Sequence, residues 1–219
     1  MKTLAFDCAS KTVSAALCAD GKPLAQRFLN EGLTHSETLL PMIAYVLGGE
    51  KPGEVVVTRG PGSFTGLRIG LAAALGLSAA WGVPCLGASS LEAAAWGVCD
   101  LSGDRVICAV MDARRGQVYN ALFMARNGVI ARLCGDRAVS SAEVLAEIGE
   151  KPVILVGDGA EMCYNIWERE NFTLAPPELR CPTGYGVARC ERTSPEPVYL
   201  RMPQAERERL KREEVAHNE

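Results

Sequence analysis

Two clusters of residues in this sequence could do chemistry. The first is the run TRGPGSFTGLRIG, Thr58 to Gly70, with four glycines, three hydroxyl side chains and two arginines directly after the apolar Val55–Val57. A glycine-rich turn between a strand and a helix can present backbone N–H groups to phosphate. The spacing fits neither known phosphate fingerprint. Gly60 and Gly66 enclose five residues rather than four, and Leu67 stands where a phosphate-binding loop needs lysine. Gly60-Pro61-Gly62 is followed by Ser63-Phe64-Thr65 before Gly66, which also breaks G-x-G-x-x-G. Two readings remain. Either Gly60, Gly62, Ser63, Thr65 and Arg68 contact an anion or nucleotide at a helix start, or the run is a tight structural turn.

The second cluster is a pair of aspartate-bearing turns, Asp7-Cys8-Ala9-Ser10 and Asp112-Ala113-Arg114-Arg115-Gly116. In two-lobed ATPases each lobe directs such a turn at the phosphates and metal, which makes Asp7 and Ser10 candidate contacts. Asp112, however, is followed by Ala-Arg-Arg rather than by glycine and hydroxyl groups. Aspartate as a simple turn former is the alternative. A metal site is not expected. The chain has two histidines, His35 at a helix start and His217 in a charged tail, and its nine cysteines contain no C-x-x-C pair. No cofactor is expected, and no local feature singles out a catalytic cysteine.

The elements that must position these residues follow from patterning. A chain of 219 residues with 48% hydrophobic content can bury a large core, and its net charge of −3 gives no basic footprint for strong nucleic-acid binding. An odd number of cysteines, with Asp7 too early for a secretory signal, predicts thiols in a reducing cytoplasm. The charge-free stretch Ile69–Leu91 is broken by Gly82-Val83-Pro84, so a helix, a turn and a strand are expected there, not a membrane span.

The chain opens as an antiparallel meander with a hairpin at Asp20-Gly21. A helix follows, with Thr34 and Glu37 as its capping box, Pro41 inside it and Gly48-Gly49 after it. Next come a strand at Val55–Val57, a helix at Phe64–Trp81, a strand at Val83–Leu86 and a helix at Ser89–Val98. Asp100–Asp104 reads as a lobe boundary, after which a strand, an Asp turn and further strands repeat the opening. The expected organisation is a first lobe over 1–101, a second over 102–202 and a charged tail over 203–219.

Two further patterns concern partners. Met42 and Tyr45 widen the apolar arc of the first helix beyond what one packed face needs. Gly66, Gly70, Ala73, Ala74 and Leu77 form a small-residue stripe on the second. The stripe either buries a central helix or, with Met42 and Tyr45, makes a flat surface for a partner.

The sequence resembles the TsaB (YeaZ) family, within the wider glycoprotease (M22) group. The resemblance rests on His35-Ser36-Glu37 with Leu39-Leu40-Pro41, on Gly60 to Gly70, on Ser89-Ser90-Leu91-Glu92-Ala93 and on Asp112 to Tyr119. It extends to Val156-Gly157-Asp158-Gly159-Ala160 and Pro197-Val198-Tyr199-Leu200-Arg201. It implies an α/β fold of two lobes, the actin/Hsp70/sugar-kinase (ASKHA, ribonuclease H-like) fold, with a reduced C-terminal lobe. It implies a non-catalytic subunit in synthesis of tRNA threonylcarbamoyladenosine. The expected partners are a TsaD-like subunit bound through the two first-lobe helices, a TsaE-like ATPase, and a second copy when TsaD is absent; tRNA is met only through the complex. The metal-binding histidines of TsaD align with Ser90 and Ala94, which cannot replace two imidazoles. Under this resemblance the glycine run is a tight turn that starts a closely packed helix. The turn Asp7-Cys8-Ala9-Ser10 and the short Leu47–Val55 connection depart from the family pattern. The rival expectations are an independent kinase-like ATP-dependent enzyme or M22-type metallopeptidase, and a homodimeric binding module.

Overall fold

The computed structural model describes residues 1–30, 32 and 35–201. The expected Thr34 cap and the charged tail with His217 lie outside the described residues. The first sheet contains β1 (Lys2–Asp7), β2 (Val13–Ala19), β3 (Lys22–Leu29), β4 (Glu54–Gly60) and β5 (Cys85–Ser89), in the order β3-β2-β1-β4-β5. The meander β1–β3 is antiparallel, while β4 and β5 run parallel to β1. Helices α1 (His35–Leu47), α2 (Phe64–Trp81), α3 (Ser90–Gly97) and the short α4 (Cys99–Ser102) belong to this half of the chain.

Residue alternation explains how the sheet is covered. Leu4, Phe6, Val55 and Val57 join Leu39, Ile43 and Val46 of α1 and Leu71 and Ala74 of α2 in one core. Their neighbours Ala5 and Val56 point the other way, toward Ala93 of α3 and Val187. With both faces covered, β1 and β4 read as nearly unbroken apolar runs.

The second sheet contains β6 (Arg105–Asp112), β7 (Gln117–Arg126), β8 (Val129–Arg132), β9 (Arg137–Ser140), β10 (Val153–Val156) and β11 (Phe172–Leu174), in the order β11-β10-β6-β7-β8, with β9 also pairing with β7. Val106, Cys108, Leu122 and Leu155 face α5 (Ser141–Ile148) and α6 (Ala160–Trp167). Ile107, Ala109, Phe123 and Ile154 pack with Leu91, Ala94 and Ala95 of α3. The helix α3 therefore sits between the sheets, and its alanines allow close approach on both sides.

Several expected elements have shifted limits. The strand after Gly82 starts at Cys85, not Val83, and the segment expected to link the lobes carries α4. The strands β9 and β11 and the helix α7 (Gly184–Arg189) have no counterpart in the sequence reading. α7 has six residues, two of them glycine, and is capped by Thr183, whose hydroxyl accepts from Gly186 N–H at 3.0 Å. It packs on β1, β2 and α3, although it lies within the stretch 102–202.

Candidate functional site

Two surfaces collect the singled-out residues: a cleft between the sheets and the outer face of α1 and α2. The cleft, about 1140 Å³, is lined by Ala9–Lys11, Gly62–Gly66, Met111–Arg115, Asp158 and Val198–Arg201.

On its first-lobe wall the glycine run is packed onto the Asp7 turn. Ser63 N–H donates to Ala9 C=O at 2.7 Å, and Ser63 Oγ accepts from Gly66 N–H at 3.3 Å as the cap of α2. A Cβ on Gly66 would run into the carbonyl oxygen of Cys8, so glycine is required by the approach of backbone to backbone. His35 extends the same wall: its Nε2–H donates to Ser10 C=O at 2.8 Å.

Asp7 is fully buried and does not line the cleft. One carboxyl oxygen accepts from Thr58 Oγ at 2.7 Å and from Ala9 N–H at 3.1 Å; the other has no partner. Burial pushes the carboxyl up to about 7, against the opposing effect of those two hydrogen bonds. Ser10 Oγ is 2.8 Å from Thr12 Oγ1.

Among the other anion candidates, Ser10, Gly62, Ser63 and Thr65 line the cleft, whereas Gly60 and Arg68 do not. The Arg68 guanidinium lies 3.8 Å over the Phe64 ring, with its Nε 3.4 Å from Tyr199 Oη. The first-lobe wall thus fits a nucleotide's phosphates poorly, because the Ser63 and Gly66 amides have internal acceptors and the Asp7 carboxyl is enclosed.

On the second-lobe wall, Asp112 Oδ1 accepts from Arg114 N–H at 2.7 Å, and Asp158 Oδ1 accepts from Asp112 N–H at 3.1 Å. Burial raises the Asp158 pKa, opposed first by that same hydrogen bond. Among the described residues no group of three or more His, Cys, Asp or Glu is placed to hold a metal ion. Ser90 and Ala94 are fully buried, and Ala94 packs against the second sheet. The nine cysteines are free thiols, and burial pushes Cys8, Cys108 and Cys190 up, away from thiolate at neutral pH.

The small-residue stripe on α2 faces inward. Gly66, Gly70 and Ala74 are buried, as is Met42 on α1, and Ala73 and Leu77 pack on the first core half-buried. An added Cβ on Gly70 would lie 3.4 Å from Val57 Cγ2 and 3.5 Å from Cys8 Cβ. Gly66, Gly70 and Ala74 let α2 lie close to the sheet, so these three and the buried Met42 are corrected from partner contacts to internal packing, while Ala73 and Leu77 are partly exposed beside them. Tyr45 remains outside, 60% exposed, with Arg27 stacked 3.9 Å over its ring.

The outward side of the same helices carries apolar residues that the stripe did not indicate. Leu40 is 53% and Leu75 49% exposed, and Ala72, Gly76, Ala79 and Ala80 are also exposed. The available signal was that α2 is apolar all round, with Arg68 its one charge, which is unusual for a helix packed on one side only. By length and composition α2 would also suffice for a membrane span.

Comparison with known proteins agrees with this architecture. The family described as TsaD: tRNA N6-adenosine threonylcarbamoyltransferase matches residues 32–176. The tRNA threonylcarbamoyladenosine biosynthesis protein TsaB of Bacillus subtilis is 32% identical over 164 residues, 72% of this chain and 71% of that protein. The TsaB of Escherichia coli is 30% identical over 190 residues, 83% of this chain and 82% of that protein. YeaZ from Pseudomonas aeruginosa superposes with a TM-score of 0.76 at 25% identity, covering 91% of this chain and 99% of its own. The ethanolamine utilization protein EutJ from Carboxydothermus hydrogenoformans shares the fold at a TM-score of 0.50 and 13% identity, over 87% of this chain and 90% of its own. The two halves, built on a five-stranded and a six-stranded sheet, form an α/β fold of the ASKHA type. The motif runs, the two-lobed fold and these relatives together establish that the chain belongs to the TsaB (YeaZ) family of tRNA threonylcarbamoyladenosine biosynthesis proteins.

Proposed function

We propose that this chain is a non-catalytic scaffold subunit that docks on a TsaD-like transferase subunit and supports its activity together with a TsaE-like ATPase. The observation that carries the reading is the outer apolar surface of α1 and α2, with Leu40, Tyr45 and Leu75 about half-exposed or more. An exposed, charge-poor apolar helical face is the kind of surface that a partner buries. The position of Ser90 and Ala94 in the core is consistent with a chain that contributes shape rather than a metal-bound reaction centre. A second copy would occupy the same face when TsaD is absent, tRNA would be met through the complex, and the complex would work in the cytoplasm.

Reconstitution tests the proposal. The chain is added to TsaD, TsaE, threonylcarbamoyl-adenylate and tRNA, and modified adenosine is counted. Modification that requires the chain is the expected result. Equal modification without it would reject the scaffold role.

A further inference from the structure

The last described residues cross from one lobe to the other. Arg192 pairs with Glu54 at the start of β4 at 3.2 Å. Thr193 exchanges two backbone hydrogen bonds with Gly87, at 2.8 and 2.9 Å, and so pairs with β5 at the edge of the first sheet. Val198 N–H donates to Arg59 C=O at 2.8 Å. The Tyr199 ring then stacks on Phe64 in the first turn of α2, with centroids 5.0 Å apart. Two residues later, Arg201 Nη1 donates to the carbonyls of Ala113 and Arg114, the latter at 2.9 Å. Both carbonyls lie in the turn between β6 and β7, where Arg114 and Arg115 adopt left-handed backbone with φ of 65° and 58°. Side-chain-bearing residues disfavour that conformation unless surrounding contacts hold it. Within three residues the chain therefore fastens an aromatic ring to the first lobe and a guanidinium to the second, along the wall of the cleft.

We propose that Val198–Arg201 is a strap that fixes the opening between the lobes and holds the Asp112–Gly116 turn in its left-handed form. The strap is independent of the docking proposal, since neither anchor belongs to the outward apolar face. Its two anchors, Tyr199 and Arg201, are two positions apart in the chain and are linked directly by that segment. Loosening the first-lobe anchor should therefore be felt at the second-lobe turn.

Hydrogen exchange on the full chain, read by mass spectrometry, tests this with Tyr199→Ala, Arg201→Ala and Tyr199→Phe. Both alanine variants are expected to speed exchange of the hydrogen-bonded Ala113 and Arg114 amides by about tenfold or more, with β1 and β10 still protected. Tyr199→Phe, which keeps the ring, should leave that exchange slow. An effect confined to Arg201→Ala would overturn the strap and leave the arginine as a local clamp. No effect in either alanine variant would overturn it too, as would loss of protection throughout β1 and β10, because a strap between folded lobes is not part of their cores.

Discussion

Asp7 carries one satisfied and one unpartnered carboxyl oxygen inside the first lobe, and this makes stability depend on pH. Its folded pKa, about 7, lies above the usual 3.8, so the folded protein holds the proton longer than the unfolded chain. The protonated form carries no penalty below about pH 4; stability is then lost as pH rises through 7, by up to about 4 kcal/mol on 1.36 kcal/mol per pKa unit. Denaturant unfolding at pH 5 and pH 8 should show the decline, and Asp7→Asn should flatten much of it. Asp158, raised for the same reason, adds to the same slope, so the flattening is partial. Gly66 gives a second prediction. Gly66→Ala forces a methyl into the Cys8 carbonyl and should destabilise the chain by roughly 3 kcal/mol, read as a lower urea midpoint at unchanged slope. The sequence marked both residues but left the role of Asp7 open, because an aspartate turn looks alike whether its carboxyl meets a ligand or a threonine 51 residues away.

The helix α2 shows what one-dimensional pattern can and cannot resolve. Its limits, Phe64 to Trp81, were legible from the glycine run before it and Gly82 after it, where the chain turns left-handed at φ 65°. Its orientation was not. An all-round apolar helix gives periodicity no contrast, and small residues signal close approach without saying to what. The sheet uses that approach. Ala74→Glu should therefore unfold the monomer by burying an unpaired charge, whereas Leu75→Arg, one residue on, should change stability by no more than about 0.5 kcal/mol. Thermal unfolding of the two variants side by side checks the assignment. β11 and α7 escaped notice for another reason: three and six residues are too short for either period to register, and tertiary contacts hold them instead.

At the scale of the whole molecule, the repeated opening of a strand, an aspartate turn and further strands is matched by two sheets of the same strand order. The return of α7 to the first sheet was not legible, because Gly184–Arg189 joins it through contacts with β1 and β2, far earlier in the chain. The motif Pro197–Arg201 was visible as a family signature, but its span from α2 to the Ala113 turn exists only in three dimensions. Two lobes joined through α3 and the Val198–Arg201 segment leave the outer side of α1 and α2 as the apolar surface on which the scaffold account depends. A binding titration of the TsaD-like subunit with wild-type and Leu75→Arg protein tests that account most directly. It predicts a complex for the wild type and affinity lowered at least about 30-fold in the variant, the size of a lost interface hot spot. Equal affinity for the two proteins, with the variant fully folded, would contradict it.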